Sequence, residues 1–446
     1  MVSTGTAQFE QVASFEPPTV LTSNSLVSLS LSNRTNTLTH GLHRFPAKFI
    51  PQVPRWALDA YSSEGSIVLD PFAGSGTTNV EASARGLRSV ALDINPLSRL
   101  IISAKTTPLD CEEAEAISKR IRILWRPKVG FLESPIAGVA NFEHWFIEGS
   151  WRELAGLKDA VLKSTNDDEY RTFFLAVFSS ILRAVSNADD QSQKTYVSGT
   201  RPKIAPPVAA TWDNAIVKAL AGLSSFVQTS GSLPLSTVPA DGNALVINWA
   251  DESFDLAVTS PPYLDSVDYP YNLMLEHFWL AEELGLASRR DFNNLRHGQV
   301  GAKSPISVAE LPPFIAQLLD SDELPEYRRE AVLSYFHLMN EHFAEMKRVL
   351  RNGSRYVFVI GNSSTKIGPL AVHKALVKLA ELHGFGLEHA FGYRLRRHYM
   401  KFPRAGRGGI ILVDWVLTLR KGLTNGMDVQ DLVDSHIDAD PAGVAH

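Results

Sequence analysis

Two short segments hold residue types that do chemistry. The first, DPFAGSGTT at 70–78, sets Gly74 and Gly76 in a turn between a strand-forming run and a helix opened by Thr77 and Thr78. Glycine lets the backbone approach a ligand closely, and a helix start favours an electronegative group. The second, TSPPY at 259–263, ends another apolar run with the Ser260 hydroxyl, the rigid pair Pro261 and Pro262, and the ring of Tyr263. Proline has no N–H, so the nearby carbonyls are acceptors without local donors. Acceptors beside a ring on which a base can stack suit an exocyclic amine, and the chemistry they imply is transfer onto nitrogen.

Asp93 lies 23 residues after Asp70, at the end of the next apolar run, where a carboxylate can accept both hydroxyls of a ribose. Strand, Gly-x-Gly turn, helix, strand and acidic residue is the order that an adenosine-containing cofactor requires. The turn is not a triphosphate loop, which needs a lysine directly before the Ser/Thr. Nor is it a dinucleotide fingerprint, whose third glycine position is Asn79 here. A tight turn with a helix cap at Asp93 would use the same residues, and a Pro-Pro strand terminator would account for TSPPY. The conjunction of the two segments is what points to a site.

The elements that must position these residues follow from periodicity. Apolar strand-like runs at 66–70, 88–94, 244–249, 254–260, 355–361, 387–393 and 409–419 alternate with helical segments at 77–86, 95–105, 330–350 and 368–383. This alternation predicts an α/β fold with a mostly parallel sheet. Residues 110–235 read as mostly helical, with an amphipathic run at 168–186 and a polar loop at 187–208, and residues 264–330 form a second insertion. The first 39 residues and the stretch 424–446, with five Asp and no Lys or Arg, read as weakly ordered tails, although LVSLSLS at 26–32 could add an edge strand.

The 446 residues are 44% hydrophobic, as in an ordinary globular protein, and 43 Lys+Arg against 48 Asp+Glu leave a net charge of −5. Contact with nucleic acid therefore requires a local basic cluster. Arg394, Arg396, Arg397, Lys401, Arg404 and Arg407 supply one within 393–409, interleaved with Tyr393, Tyr399 and Phe402, and Lys194, Arg201 and Lys203 form a weaker one. The single cysteine, Cys111, excludes an internal disulfide and a cysteine zinc cluster, and His40 and His43 have no third ligand nearby, so no metal is expected. With no secretory signal and no apolar run of about 18 residues, the expectation is a soluble cytoplasmic protein without a membrane partner.

HRFPAKFIP (43–51), DPFAGSGTT, Asp93 and TSPPY together resemble the DNA amino-methyltransferases that use S-adenosylmethionine. The resemblance spans roughly residues 40–105 and 240–421. The SPPY form is most similar to the cytosine-N4 subgroup, whereas adenine-N6 enzymes more often carry DPPY. The resemblance implies a class I methyltransferase (Rossmann-like) fold with a seven-stranded, mostly parallel sheet. It divides the chain into a flexible segment 1–39, a cofactor-binding half 40–109, a helical insertion 110–235 as a candidate for target recognition, a catalytic half 236–423 and an acidic tail 424–446. It implies that Phe72, Gly74 and Gly76 line the cofactor with Asp70 at the base of their loop. Asp93 would hold the ribose, Asp241 would lie near the adenine edge, and Phe45, Pro46 and Lys48 would close over the methionine part. Ser260 and the Pro261 carbonyl would hold the target amine beside Pro262, with Tyr263 stacking on a flipped base.

Direct attack of an amine on a sulfonium methyl needs alignment but no covalent intermediate. Carbon-5 methylation needs a cysteine nucleophile, usually in a Pro-Cys pair, and Cys111 in LDCEEAEA lacks that context. A target inside duplex DNA must be flipped out. Adenine-N6 transfer, RNA as substrate on the same core, and a cofactor-binding regulator without turnover stay open as alternatives, as does a cognate restriction endonuclease as partner.

Overall fold

A computed structural model describes residues 9–10, 25–27, 37–46, 50–129, 142–190, 194–264, 268–302, 312–314, 326–361, 363–364, 369–394, 413–429 and 432. In chain order the strands are β1 (Phe9–Glu10), β2 (Ser25–Val27), β3 (Ile67–Asp70), β4 (Arg88–Ala91), β5 (Ser236–Thr237), β6 (Phe254–Thr259), β7 (Leu350–Gly361), β8 (Ser363–Ser364), β9 (Pro369–Leu370), β10 (Phe385–Arg394) and β11 (Val413–Lys421). The short β8 and β9 pair with each other, and the other nine form one sheet in the order β1-β2-β10-β11-β7-β6-β3-β4-β5. The pairs β3–β4, β3–β6, β4–β5 and β6–β7 are parallel, while β11 runs antiparallel to both β7 and β10. With β1 and β2 set aside, the remaining strands, numbered by appearance, read 6-7-5-4-1-2-3 with only the seventh reversed. That is the order of the class I methyltransferase sheet.

Alternation along the strands builds both faces. Val68, Leu256, Val258, Val357, Val359 and Val416 point to one side, where Val53, Trp56, Ala57 and Leu58 of α1 (Gln52–Tyr61) cover them. Leu69, Ala257, Tyr356, Phe358, Ile360, Trp415 and Leu417 point to the other, under α12 (Glu326–Val349) and α13 (Val372–Leu382). Strands apolar on both faces are what a parallel sheet covered by helices requires. Between β3 and β4 runs α2 (Thr77–Ser83), and α3 (Pro96–Thr106) follows β4.

The long insertion is helical: α4 (Cys111–Leu124), α5 (Phe142–Trp145), α6 (Glu148–Ser164), α7 (Asp168–Leu182) and α8 (Val208–Ser230). Aspartates fix two of the starts, Asp110 accepting the Glu113 amide and Asp167 those of Glu169 and Tyr170. Their apolar faces share a second core with Leu97 and Ile101 of α3, and with Leu273 and Trp279 around α9 (Tyr269–Asn272) and α10 (Met274–Trp279). The insertion is thus docked on the helix that follows Asp93. Further on, α11 (Arg289–His297) completes the described helices of the second insertion ahead of α12.

Three expectations need correction. Residues 244–249 are not a strand, and the sheet edge is β5 at 236–237 instead. The backbone of 244–249 is satisfied by side chains: Asn243 accepts the Leu245 amide at 2.9 Å, Glu345 accepts the Ile247 amide at 2.7 Å, and Arg348 donates to the carbonyls of Ile247 and Trp249. The apolar side chains therefore pack without a ladder. The run at 88–94 stops pairing at Ala91, which frees Asp93, and α1 forms where no helix was expected. The sheet gains β2, which pairs in parallel with β10. Among the described residues no helix is long and apolar enough to cross a membrane.

Candidate active site

At the carboxyl edge of β3, β4 and β6 the chain encloses a cavity of about 870 Å³, open solvent included. Phe45, Pro46, Phe72, Gly74, Asp93, Ser260 and Pro262 all line it, so residues separated by more than 200 positions meet there. Asp70 lies at its base, buried at the end of β3. Lys48 falls outside the described residues.

Short-range geometry makes the glycine loop. The Leu92 amide donates to Asp70 O at 2.9 Å and the Ala73 amide to Leu92 O at 3.0 Å, which carries the β3–β4 pairing into the turn. Gly74 and Gly76 then take φ of +52° and +74°, a left-handed geometry costly for other residues. A side chain at Gly76 would also meet Ile102 Cγ2 at 3.0 Å. The buried Lys105 of α3 reaches back to donate to Ser75 O at 2.8 Å.

Asp93 holds the loop from the other side. Its Oδ2 accepts the Gly74 amide at 2.9 Å and its Oδ1 the Asn95 amide at 2.8 Å, which leaves each oxygen further acceptor capacity. Burial pushes this carboxyl up to about 6, against the pull of those two amides and of Arg99. Asn95 caps α3, its Oδ1 accepting the Leu97 amide. Asn95 Nδ2 and Ser75 Oγ, both on lining residues, are buried without a hydrogen-bond partner among the described residues. Unmatched polar atoms of this kind call for a ligand or water. With Asp93 on one wall and Phe45, Phe72 and Leu245 on the others, the cavity suits a ligand of mixed polar and aromatic character such as an adenosine derivative.

The two sequence segments are directly bonded. Thr259 Oγ1 donates to Asp70 Oδ1 at 2.6 Å and accepts the Phe72 amide at 3.3 Å, and Thr78 Oγ1 donates to Val258 O at 3.1 Å. Burial pushes Asp70 up to about 7. Behind Phe72, the His342 ring lies 4.7 Å away, donating from Nδ1 to Ala244 O at 3.0 Å and bonded through Nε2 to Tyr356 Oη at 2.8 Å.

Within TSPPY, Ser260 and Pro262 face the cavity and Pro261 is buried. Ser260 Oγ donates to Val359 O at 3.4 Å. Tyr263 does not line the cavity: its ring packs on the main core and its hydroxyl faces Asp414 and Ser260. The tyrosine that lines the cavity together with Ser260 is Tyr269, from the second insertion. Asp241 is also outside the lining, exposed and accepting from Asn248 Nδ2 at 2.6 Å, and Asn243, Ala244 and Leu245 take that wall.

Sequence reasoning missed Ser75, Asn95, Lys105, Asn243 and Tyr269. Only Asn95 carried a signal, as a cap directly before Pro96. Of the basic cluster, Arg394 closes β10, while Arg396, Arg397, Lys401, Arg404 and Arg407 lie outside the described residues. In the weaker cluster Lys203 is engaged with Asp190 at 2.9 Å and Arg201 is exposed. His40 is bound to Glu81 at 2.9 Å, and His43 Nδ1 donates to Arg44 O at 2.8 Å. Among the described residues no three His, Cys, Asp or Glu side chains gather as a metal ligand set.

The family model described as DNA methylase matches residues 19–102, the stretch that holds Phe45, the glycine loop and Asp93. The chain is 28% identical over 409 residues to the type II methyltransferase M.MvaI of Kocuria varians, covering 84% of this chain and 86% of that one. It is 24% identical over 357 residues to the type II methyltransferase M.BsoBI of Geobacillus stearothermophilus, covering 73% and 68%. A solved SAM-dependent methyltransferase from Methanosarcina mazei matches 82% of this chain and 97% of its own at 11% identity, but with a TM-score of 0.28 it adds nothing to the fold assigned from strand order.

Proposed function

We propose that the chain is an N4/N6 amino-methyltransferase of DNA that takes its methyl group from S-adenosylmethionine, and that it methylates the N4 amine of cytosine. The observation that carries the cytosine reading is Ser260, a neutral hydroxyl on the wall of the cavity that also contains the glycine loop. When bound, the cofactor supplies a methyl on a sulfonium, an electrophile that an amine can attack directly.

The chain's own residues supply position. Asp93 accepts the ribose hydroxyls, and Gly74 keeps the loop low enough for close approach, with Phe45 and Phe72 as apolar walls. Ser260 Oγ accepts one N–H of the target amine and the Pro261 carbonyl the other, which aims the nitrogen lone pair at the methyl. The target base reaches this depth only when flipped out of the duplex, at a cost of a few kcal/mol. Tyr269, on the cavity wall, is the tyrosine placed to frame it, and Tyr263 would do so only by turning away from the main core.

The helical insertion is the candidate for target recognition. What supports this is the bond from Thr195 Oγ1 to Asn272 O at 2.7 Å, which ties its polar loop to α9 and hence to Tyr269. The basic segment 393–409 would contact phosphates.

The test is incubation with labelled S-adenosylmethionine and mixed duplex DNA, then digestion to nucleosides. Label in N4-methylcytosine is the expected result. Label only in N6-methyladenine would overturn the cytosine assignment and leave the family unaffected.

A further inference from the structure

Asp414 stands at the start of β11, the strand that runs antiparallel to its neighbours. The reversal brings the first residues of β11 to the edge of the sheet where Ser260 follows the end of β6. There the carboxylate is 7% exposed. Tyr393 Oη, buried near the end of β10, donates to Asp414 Oδ2 at 3.1 Å. The Tyr263 hydroxyl faces the same carboxylate and also Ser260. Asp414 Oδ1 has no partner at full hydrogen-bond geometry among the described residues. The titratable groups that face Asp414 are thus Tyr263 from the TSPPY turn and Tyr393 from β10, and β7 meets it with Gly361, which does not titrate.

An ionised carboxylate only accepts hydrogen bonds. Both phenols must then donate to Asp414, which leaves the Tyr263 oxygen an acceptor on its Ser260 side. The Ser260 proton is directed inward, to Tyr263 or to Val359 O, and its lone pairs are left facing the cavity. We propose that Asp414 is a positioning residue for methyl transfer: acting through Tyr263, it fixes the direction of the hydroxyl protons and so holds Ser260 as an acceptor for the target amine. This inference rests on the reading of Ser260 as the group that holds the amine. A protonated Asp414, or an asparagine in its place, presents a donor and breaks the one-way order.

Single-turnover methylation of duplex DNA at saturating S-adenosylmethionine tests it. Asp414→Asn should run about tenfold slower or worse at neutral pH, with cofactor affinity and KM for DNA within about threefold of wild type. The wild-type rate should fall as pH drops through about 6, where burial places this carboxyl, and Asp414→Asn should lose that acid limb. Tyr263→Phe, which keeps the ring, should be slowed by a similar factor, and the double variant should be no slower than the slower single. A full rate in Asp414→Asn, or losses that multiply in the double variant, would overturn the proposal. Should Asp414→Asn fail to fold, Tyr263→Phe decides alone, an unchanged rate counting against. A wild-type protein that labels no nucleoside would instead overturn the functional reading.

Discussion

Thr259 Oγ1 donates to Asp70 Oδ1 at 2.6 Å, so the residue preceding Ser260 is bonded to the residue that opens the glycine loop. The two positions are 189 residues apart in the chain. Both partners are fully buried, and the second carboxylate oxygen, Asp70 Oδ2, has no partner at full hydrogen-bond geometry among the described residues. Thr259→Val therefore removes the shortest bond to a buried carboxyl and leaves Oδ1 the Phe72 amide at 3.3 Å, and the expected loss is about 2 kcal/mol of stability together with weaker cofactor binding. Thr259→Ser, which keeps the hydroxyl, should recover most of both. Urea unfolding and calorimetric titration with S-adenosylmethionine measure the two effects, and a valine variant equal to wild type in both would sever the proposed coupling.

Asp93 should matter more for the ligand than for the fold. Its carboxylate already anchors the Gly74 and Asn95 amides, and it keeps acceptor capacity for a ribose. Asp93→Ala removes a charge-assisted contact of about 1.5 to 3 kcal/mol, so cofactor affinity should fall roughly 10- to 100-fold. Direct titration with the cofactor checks this. Affinity within twofold of wild type would move the ribose contact elsewhere.

How much of this was legible in the sequence depended on whether a signal was local. Gly74 and Asp93 announced themselves because one strand–turn–helix–strand unit contains them, and their cavity positions need nothing beyond that unit, whereas Gly76 shapes the turn against Ile102 without lining the cavity. Ser260 and Pro262 were readable for the same reason, each standing at the end of one apolar run. Tyr263 was not, because the direction of its ring depends on Asp414 and Tyr393, which arrive from two other strands. Tyr269 was hidden likewise, since α9 reaches the cavity only through the packing of the second insertion. The mistaken strand at 244–249 had the right apolar content, and what it lacked was a ladder partner, because Glu345 and Arg348 of a distant helix satisfy its backbone instead. Seven strands were counted correctly for the core although one of the seven was misplaced.

Glu81 gives a prediction in pH. The side chain is 1% exposed and is held by His40, Arg55 and Arg85, which together anchor α1, α2 and the segment leading to Phe45. Against a burial effect of opposite sign, those bonds lower its carboxyl from 4.5 to about 2. A depressed carboxyl contributes stability above its unfolded value near 4.5 and loses it as pH falls toward about 2. Glu81→Gln should thus cost roughly 3 kcal/mol at neutral pH, and the gap to wild type should narrow below pH 4.5. Asp70 and Asp93 are raised in the fold, so their contributions are lost as pH rises and run against this one. The comparison is consequently between wild type and Glu81→Gln at each pH, by urea midpoint, and a gap that stays constant from pH 7 to the acid limit of folding would refute it.

Tyr269 and Tyr263 separate binding of the base from alignment of the amine. Tyr269 lines the same cavity as Ser260 and Pro262, whereas the Tyr263 hydroxyl is turned to Asp414. A ring that stacks on an extruded base contributes about 1 to 3 kcal/mol. Tyr269→Ala should accordingly raise KM for DNA by about tenfold or more and leave cofactor affinity within twofold if, as proposed, its ring stacks on the base. Tyr263→Phe should leave KM near wild type and lower the single-turnover rate, because what it removes is a direction and not a surface. Steady-state and single-turnover assays on the same DNA separate the two. If Tyr263→Phe raised KM and Tyr269→Ala did not, the stacking ring would be Tyr263, and its orientation would have to change when DNA binds.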